Sequence, residues 1–243
     1  MLKLPPLYPI IDFTCFATKA DPVAAILHYA EEMIMAGATL IQLRDKSVAP
    51  AGNQPGPLNQ ERPANQPGHP NQENPTRRFL SCARELRRLT LGITKPRATL
   101  IVNDRVDLCL AADADGVHLG QDDLSSSAAR KIFDQVKDGK TRLIGFSTHN
   151  ISQVRQADAL PIDYIAVGPV FATGSKANPD PVIGIEGVRQ ARQATQKPLV
   201  AIGGITRQNC RPVKDAGADS VAVISDLLES PGKAVADFLR VLG

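Results

Sequence analysis

Short apolar runs alternate with helical patterns along the whole of this chain, and that alternation leaves few folds open to it. The runs fall at 7–12, 39–43, 98–102, 116–118, 143–146, 164–167, 199–202 and 220–224. Between and after them lie segments with helical spacing of apolar residues, at 21–37, 77–89, 125–136, 151–157, 185–195, 208–216 and 232–242, with one short helix after residue 104. Asp21-Pro22 starts the first of these as a cap followed by proline, and Gly37 ends it. Strands separated by single helices pair in parallel. Eight such repeats predict an α/β fold, a (β/α)₈ TIM barrel in one domain over 1–243, for which ~250 residues is typical. An open doubly wound sheet is the alternative, but it gives no reason for eight such regular repeats. Pro9 is awkward inside the first strand, because it cannot donate to a ladder.

One segment breaks the pattern. From Asn53 to Thr76 an Asn-Gln pair recurs every six residues, in NQPGPL, NQERPA, NQPGHP and NQENPT. The segment is rich in proline and nearly free of apolar residues, so it cannot bury enough surface to offset the entropy of ordering. A six-residue period can mark a β-helix, but these turns lack inward-facing apolar residues. We expect a disordered low-complexity insertion over 49–76, after the second strand, whose His69 is no ligand. Deleting Asn53 to Thr76 should leave activity largely intact.

Composition narrows the partners. A net charge of +3 with no basic run, 4% aromatic residues and no tryptophan argue against nucleic acid. Cys15, Cys82, Cys109 and Cys210 form no C-x-x-C pair, and suit a reducing compartment better than a disulfide or zinc framework. Cys109 lies on an apolar helix face and reads as core. The N-terminus lacks the apolar run and cleavage site of a signal peptide, and no stretch reaches membrane-span length. The expectation is a cytoplasmic protein without membrane contact. The oligomeric state, a homo-oligomer included, is left open.

In a parallel barrel, ligands gather at the carboxyl ends of the strands. Here those ends are polar where the strands are apolar: Gln42, Arg44 and Lys46; Asn103 and Asp104; His118, Gln121, Asp122 and Asp123; Ser147, Thr148 and His149; Thr173, Ser175 and Lys176; Gly203 and Gly204; Ile224 and Ser225. Arg44 and Lys46 suit a polyanion, one as a fork and one as a point charge. Asp104 with Asp123 suits Mg²⁺, which takes one or two carboxylates and completes its shell with phosphate oxygens. Within the stretch 101–123 alone, Asp104 and Asp122 read equally well as helix caps. Thr173-Gly174-Ser175-Lys176 lacks P-loop spacing. Gly203-Gly204 and Ile224-Ser225 follow the seventh and eighth strands, where barrels often bind a phosphate through backbone N–H groups. His118 and His149 are acid/base candidates whose structural reading stays open.

Taken together, QLRDK (Gln42, Leu43, Arg44, Asp45, Lys46), ND (Asn103-Asp104), ADGVHLGQDD ending at Asp123, GFSTH around Ser147, GPVFATGSK through Thr173, Gly174, Ser175 and Lys176, AIGGI around Gly204, and VAVIS ending at Ile224-Ser225 resemble the thiamine phosphate synthase family. The resemblance covers nearly the whole chain outside the N-terminal residues and the insertion. It implies a barrel transferase that condenses 4-amino-2-methyl-5-(diphosphooxymethyl)pyrimidine with thiazole phosphate carboxylate, forming thiamine phosphate and releasing pyrophosphate by way of a pyrimidine cation. By resemblance, Gln42, Arg44, Lys46, Asn103 and Lys176 hold the pyrimidine diphosphate, with Leu43 and Asp45 in the same binding motif. Asp104 and Asp123 bind Mg²⁺, and Ser147 contacts the reacting pyrimidine. Thr173, Gly174, Ser175, Gly204, Ile224 and Ser225 hold the thiazole phosphate. Arg44, Lys46, Ser147 and Lys176 carry the catalytic load, with Mg²⁺ and the cations meeting the charge that develops on the leaving diphosphate.

Two departures stand out: Ser175 replaces the family's usual threonine, and the insertion hangs from the rim beside Lys46. A thiazole tautomerase-like isomerase on the same barrel is the main rival. It would need no Mg²⁺ and no complete set of Arg44, Lys46, Asp104, Asp123 and Lys176. A non-catalytic phosphate-binding protein is the second rival, which turnover would exclude. The preferred thiazole tautomer is left open.

Overall fold

The structure is a computed structural model that describes residues 2–48, 74–92, 97–173 and 180–243. The eight parallel strands of the described residues close into one barrel in chain order. They are β1 Leu7–Asp12, β2 Leu40–Arg44, β3 Thr99–Asn103, β4 Gly116–Leu119, β5 Leu143–Thr148, β6 Tyr164–Val167, β7 Leu199–Ile202 and β8 Ser220–Val223. Their helices are α1 Pro22–Met35, α2 Pro75–Gly92, α3 Val106–Ala111, α4 Ser126–Gln135, α5 Ile151–Asp158, α6 Gly184–Ala194, α7 Cys210–Asp215 and α8 Pro231–Leu242. The ring is completed by β1, whose Pro9 sits opposite Val223 of β8 despite lacking an N–H. Asp21 caps α1 through the Ala24 amide at 2.9 Å, with Pro22 in the first turn.

Period-two alternation divides the strand residues between two cores. Leu7, Ile11, Leu43, Leu100 and Val102 point outward and pack against the helices, where Cys109 is also buried. Tyr8, Ile10, Leu40, Ile101, Tyr164, Ala166, Val200 and Ala222 fill the barrel interior. The inward series continues upward along the same strands: Leu40 is followed by Gln42 and Arg44, and Ile101 by Asn103. One alternation thus fills the lower barrel with apolar side chains and delivers polar ones at its carboxyl end.

The opposite end is held by a device used three times. Asp115, Asp163 and Asp219, each just before an even-numbered strand, donate their own N–H to the carbonyls of Leu100, Ile144 and Leu199. Their carboxylates accept the N–H groups of those same residues at 2.8, 2.7 and 2.8 Å. Each carboxylate also takes an arginine from the preceding even-numbered helix: Arg87 from α2, Arg130 from α4 and Arg192 from α6. This fixes the register of β3, β5 and β7. Asp163→Ala leaves the Ile144 amide and Arg130 without their acceptor. It should cost about 2 kcal/mol and lower Tm by roughly 4–8 °C, with specific activity of the folded fraction unchanged. Thermal melts beside an activity assay check this.

Several strands end later than their apolar runs suggest. Arg44, Asn103, Ser147 and Thr148 belong to strands, not to the loops beyond them. Backbone pairing with neighbouring strands carries the ladder past the last apolar residue. In the insertion predicted over 49–76, residues 49–73 lie outside the described residues. Its end is corrected: α2 begins at Pro75, because the Asn74 side chain accepts the Thr76 amide at 2.9 Å and proline suits the first helical position. A deletion running to Thr76 therefore removes this start.

Candidate active site

The turn after β2 is shaped by Asp45, whose Oδ1 accepts from the Ser47 amide at 2.9 Å and the Ser47 hydroxyl at 2.7 Å. That turn brings Lys46 back over the barrel, where its Nζ meets Asp104 Oδ2 at 2.9 Å. Arg44, one strand position before the turn, is anchored by Asp12 at the end of β1, Nη1 to Oδ2 at 3.2 Å. Asp12 is itself held by the Thr14 amide and hydroxyl at 3.0 and 2.7 Å. Arg105 then bonds the Val48 carbonyl at 2.7 Å and ties the β2 and β3 loops together.

Asp104 sits at φ +62, a conformation a non-glycine residue adopts at a cost of ~1–3 kcal/mol. It is not a helix cap. The residue before α3 is Arg105, without a side-chain cap bond, and α4 is capped by Ser125, so neither Asp104 nor Asp122 fills that role. Asp104 is instead a buried acid facing Asp123 across the carboxyl ends of β3 and β4. Asp123 Oδ2 accepts the Gly120 amide at 2.7 Å. Burial, reinforced by the neighbouring Asp104 carboxylate, pushes the Asp123 carboxyl up to about 6.

His118 on β4 is buried, and its ring loses its proton readily: desolvation brings its pKa down to about 4. It bonds Ser147 and Tyr164 and is a neutral group near pH 7. His149 accepts its own place from Gln153, whose Oε1 takes the His149 N–H at 2.6 Å, while His149 Nδ1 lies 3.1 Å from the Gly168 carbonyl.

The loops after β6 and β7 are zipped by Val170 N–H to Ile202 O at 2.9 Å and Phe171 N–H to Gly203 O at 3.0 Å. Gly203 and Gly204 take φ +102 and +63, and a Cβ on Gly204 would stand 2.5 Å from the Ala172 carbonyl oxygen. Only glycine permits that approach. Arg207, after β7, grips Asp226 after β8 at 3.0 Å, so these two loops share one brace.

All of this surrounds a cavity of about 520 Å³ at the carboxyl end of the barrel. Its lining brings together Gln42, Arg44, Lys46, Asn103, Asp104, Asp123, Ser147, Thr173, Gly204, Ile224 and Ser225. Leu43 and Asp45 are not in it. Leu43 is an outward residue of β2 buried under the helices, and Asp45 is spent on its turn. Gly174, Ser175 and Lys176 lie outside the described residues. Sequence reasoning left no role for Asp12, Tyr8, Tyr164 or Gln153. Tyr8 and Tyr164 gave a signal, since a tyrosine within an apolar strand needs a partner for its hydroxyl.

The donor set fits a hard divalent cation. Asp104 and Asp123 offer oxygen only, and their mutual repulsion is what such an ion relieves. Two carboxylates are the usual protein share of a Mg²⁺ site, the rest of the shell being water and substrate phosphate oxygens. Beside them, Asn103 Nδ2 is a buried donor without a partner among the described residues, at the wall of the cavity.

The pH dependence follows from two opposed groups. Asp123, shifted from 3.8 to about 6, contributes stability that is present at low pH and lost as pH rises through its folded value. His118, shifted from 6.5 to about 4, contributes stability present above 6.5 and lost as pH falls toward 4. Asp123→Asn keeps an acceptor for Gly120 and removes the first contribution. Without metal, the variant should gain stability more steeply than the parent between these values. At pH 7.5 it should exceed the parent by about 1 kcal/mol, because solvent reaches Asp123 and screens much of the repulsion. Melts at several pH values check the sign.

Fold and rim together define a (β/α)₈ barrel whose cavity, lined by cations and carboxylates, opens at its carboxyl face. A model of the thiamine monophosphate synthase family matches residues 13–227. The thiamine-phosphate synthase of Koribacter versatilis (strain Ellin345) is 45% identical over 241 residues, covering 99% of this chain and 97% of that protein. That of Chloroflexus aurantiacus (strain ATCC 29366 / DSM 635 / J-10-fl) is 39% identical over 213 residues, covering 87% and 82%. The solved structure of thiamine phosphate pyrophosphorylase from Pyrococcus furiosus matches with a TM-score of 0.73 at 30% identity, over 98% of this chain and 95% of that one. The chain belongs to the thiamine monophosphate synthase family and is a transferase.

Proposed function

We propose that this transferase makes thiamine phosphate from 4-amino-2-methyl-5-(diphosphooxymethyl)pyrimidine and thiazole phosphate carboxylate, with Mg²⁺, and releases pyrophosphate and, from the carboxylate, carbon dioxide. The observation that carries the reading is the convergence in one cavity of two cations, an unpartnered amide donor and two facing carboxylates. Around a neutral ligand such a set has no use. Around a metal-bound diphosphate every member has a partner.

Arg44 and Asn103 bind the diphosphate, and Lys46 moves from Asp104 to a phosphate oxygen. Lys176 adds a further cation by its place in the sequence. Asp104 and Asp123 hold Mg²⁺, which when bound neutralises charge on the departing diphosphate. The bond between the pyrimidine methylene and the diphosphate oxygen breaks first, and its electron pair leaves with the pyrophosphate. The thiazole nitrogen then donates its lone pair to the methylene cation, and the carboxylate departs as CO2, leaving its electron pair on the ring carbon, which takes up a proton from solvent. No protein nucleophile takes part. The site contributes fixed positive charge where negative charge develops, an interaction whose loss typically costs ~10²–10³ in rate. Thr173 and the backbone around Gly204 and Ile224-Ser225 hold the thiazole phosphate, and Ser175 joins them by its place in the sequence.

The set of Arg44, Lys46, Asp104 and Asp123 in one place argues against an isomerase of a monophosphate. Incubation with both substrates, with Mg²⁺ or with EDTA, should yield thiamine phosphate only in the first case. Absence of product under every condition would overturn the reading.

A further inference from the structure

A line of hydrogen-bonding groups crosses the inside of the barrel from Gln42 to Ser147. Gln42 Nε2 donates to the Tyr8 hydroxyl at 2.9 Å. The Tyr8 and Tyr164 hydroxyls are 2.9 Å apart. Tyr164 lies 3.1 Å from His118 Nδ1, and His118 Nε2 lies 2.9 Å from Ser147 Oγ.

The amide at the foot of this line sets its direction. Tyr8 accepts from Gln42, so its own hydrogen goes to the Tyr164 oxygen. Tyr164 then donates to His118 Nδ1. A neutral imidazole that accepts at Nδ1 carries its hydrogen on Nε2, and that hydrogen meets Ser147 Oγ. Ser147 is thereby an acceptor toward the protein, and its own O–H is left for the cavity it lines.

We propose that Tyr8, Tyr164 and His118 are positioning residues that hold the imidazole as its Nε2–H tautomer and so present Ser147 to the cavity as a hydrogen-bond donor, to an acceptor atom of the pyrimidine ring. The second half rests on the reading of Ser147 as a pyrimidine contact. The bond orients the ring while the methylene–oxygen bond breaks, and it moves no proton.

The packing around the line is shaped to keep it. Gly145, two residues before Ser147 on β5, lies where a Cβ would stand 2.1 Å from Tyr164 Cζ and 2.3 Å from its hydroxyl oxygen. The Tyr164 ring stacks on His118, with centroids 5.6 Å apart and planes at 29°. Gln121 donates to the Ser147 carbonyl and fixes that residue's backbone. With the Gln42 amide turned over, every hydrogen would run the other way, His118 would carry its hydrogen on Nδ1, and Ser147 would spend its own on the imidazole.

The tautomer of His118 separates the two directions. Long-range ¹H–¹⁵N correlation of the imidazoles at pH 7 is tractable, because the chain has four histidines and His118→Gln assigns the signal by its loss. The Nε2–H form is expected, and the Nδ1–H form would overturn the proposal. This readout needs no substrate, so it stands or falls apart from the proposed reaction. Tyr164→Phe keeps the ring and removes the hydroxyl. It should shift the tautomer and lower kcat ~10-fold or more, with KM for thiazole phosphate unchanged. Tyr8→Phe, which removes the hydroxyl that links Gln42 to Tyr164 but leaves the Tyr164–His118 contact, should act in the same direction more weakly. An unchanged tautomer in both variants would remove the positioning role, and a shifted tautomer with normal kcat would remove the donor role of Ser147.

Discussion

Asp104→Asn lowers kcat by ~10²–10³-fold or more and leaves the fold intact. Asparagine is the right replacement because residue 104 sits at φ +62, where asparagine is at home and alanine is strained. The variant removes one of the two acids assigned to Mg²⁺, releases Lys46 from its 2.9 Å contact, and removes one of the causes that raise the Asp123 pKa. The loss should therefore shrink as Mg²⁺ is raised, which a purely structural defect would not do. Steady-state rates across a Mg²⁺ series, with a melt of the same sample, make the measurement. Near-normal turnover at low Mg²⁺ would remove Asp104 from the metal role.

Arg44→Leu should cost ~10³-fold in kcat/KM for the pyrimidine diphosphate, with KM for thiazole phosphate little changed. Two effects add. The diphosphate loses a planar, two-pronged donor, and Asp12 keeps its Thr14 bonds but has no cation beside it. A carboxylate left unpaired in a buried setting destabilises by ~3 kcal/mol or more, so the melt should fall as well. Arg44→Lys restores the charge beside Asp12 and most of the stability, but only part of the rate, because a point charge does not replace the fork. If lysine restored the full rate, Arg44 would be acting as a simple countercharge.

The barrel was readable because its evidence is local. Each strand is a short apolar run and each longer helix a run of apolar residues at helical spacing, with start and stop signals as clear as Asp21-Pro22 and Gly37 at α1. The rim was readable in part for the same reason, since polar residues follow apolar ones at each strand's end. Side-chain direction is less visible. QLRDK looks like one binding block, yet alternation sends Gln42 and Arg44 inward and Leu43 outward, while Asp45 is consumed by its turn. The apolar run stops at Phe146, but pairing with β6 carries the strand through Ser147 to Thr148. Which side chains meet across strands left no local trace, even where a strand tyrosine announced that its hydroxyl needs a partner. Asp12 holding Arg44, or Tyr8 reaching Tyr164 across 156 positions, exists only once the barrel has closed.

The central claim is that one cavity loads a metal-bound diphosphate and a phosphorylated thiazole, so that pyrophosphate leaves as the two rings join. Phosphorus NMR of a single reaction follows all the phosphates at once. With Mg²⁺ and both substrates, pyrophosphate and thiamine phosphate should grow in equal amounts, and omission of Mg²⁺ should suppress both. Pyrophosphate or inorganic phosphate accumulating without thiamine phosphate, or no change in any signal, would contradict it.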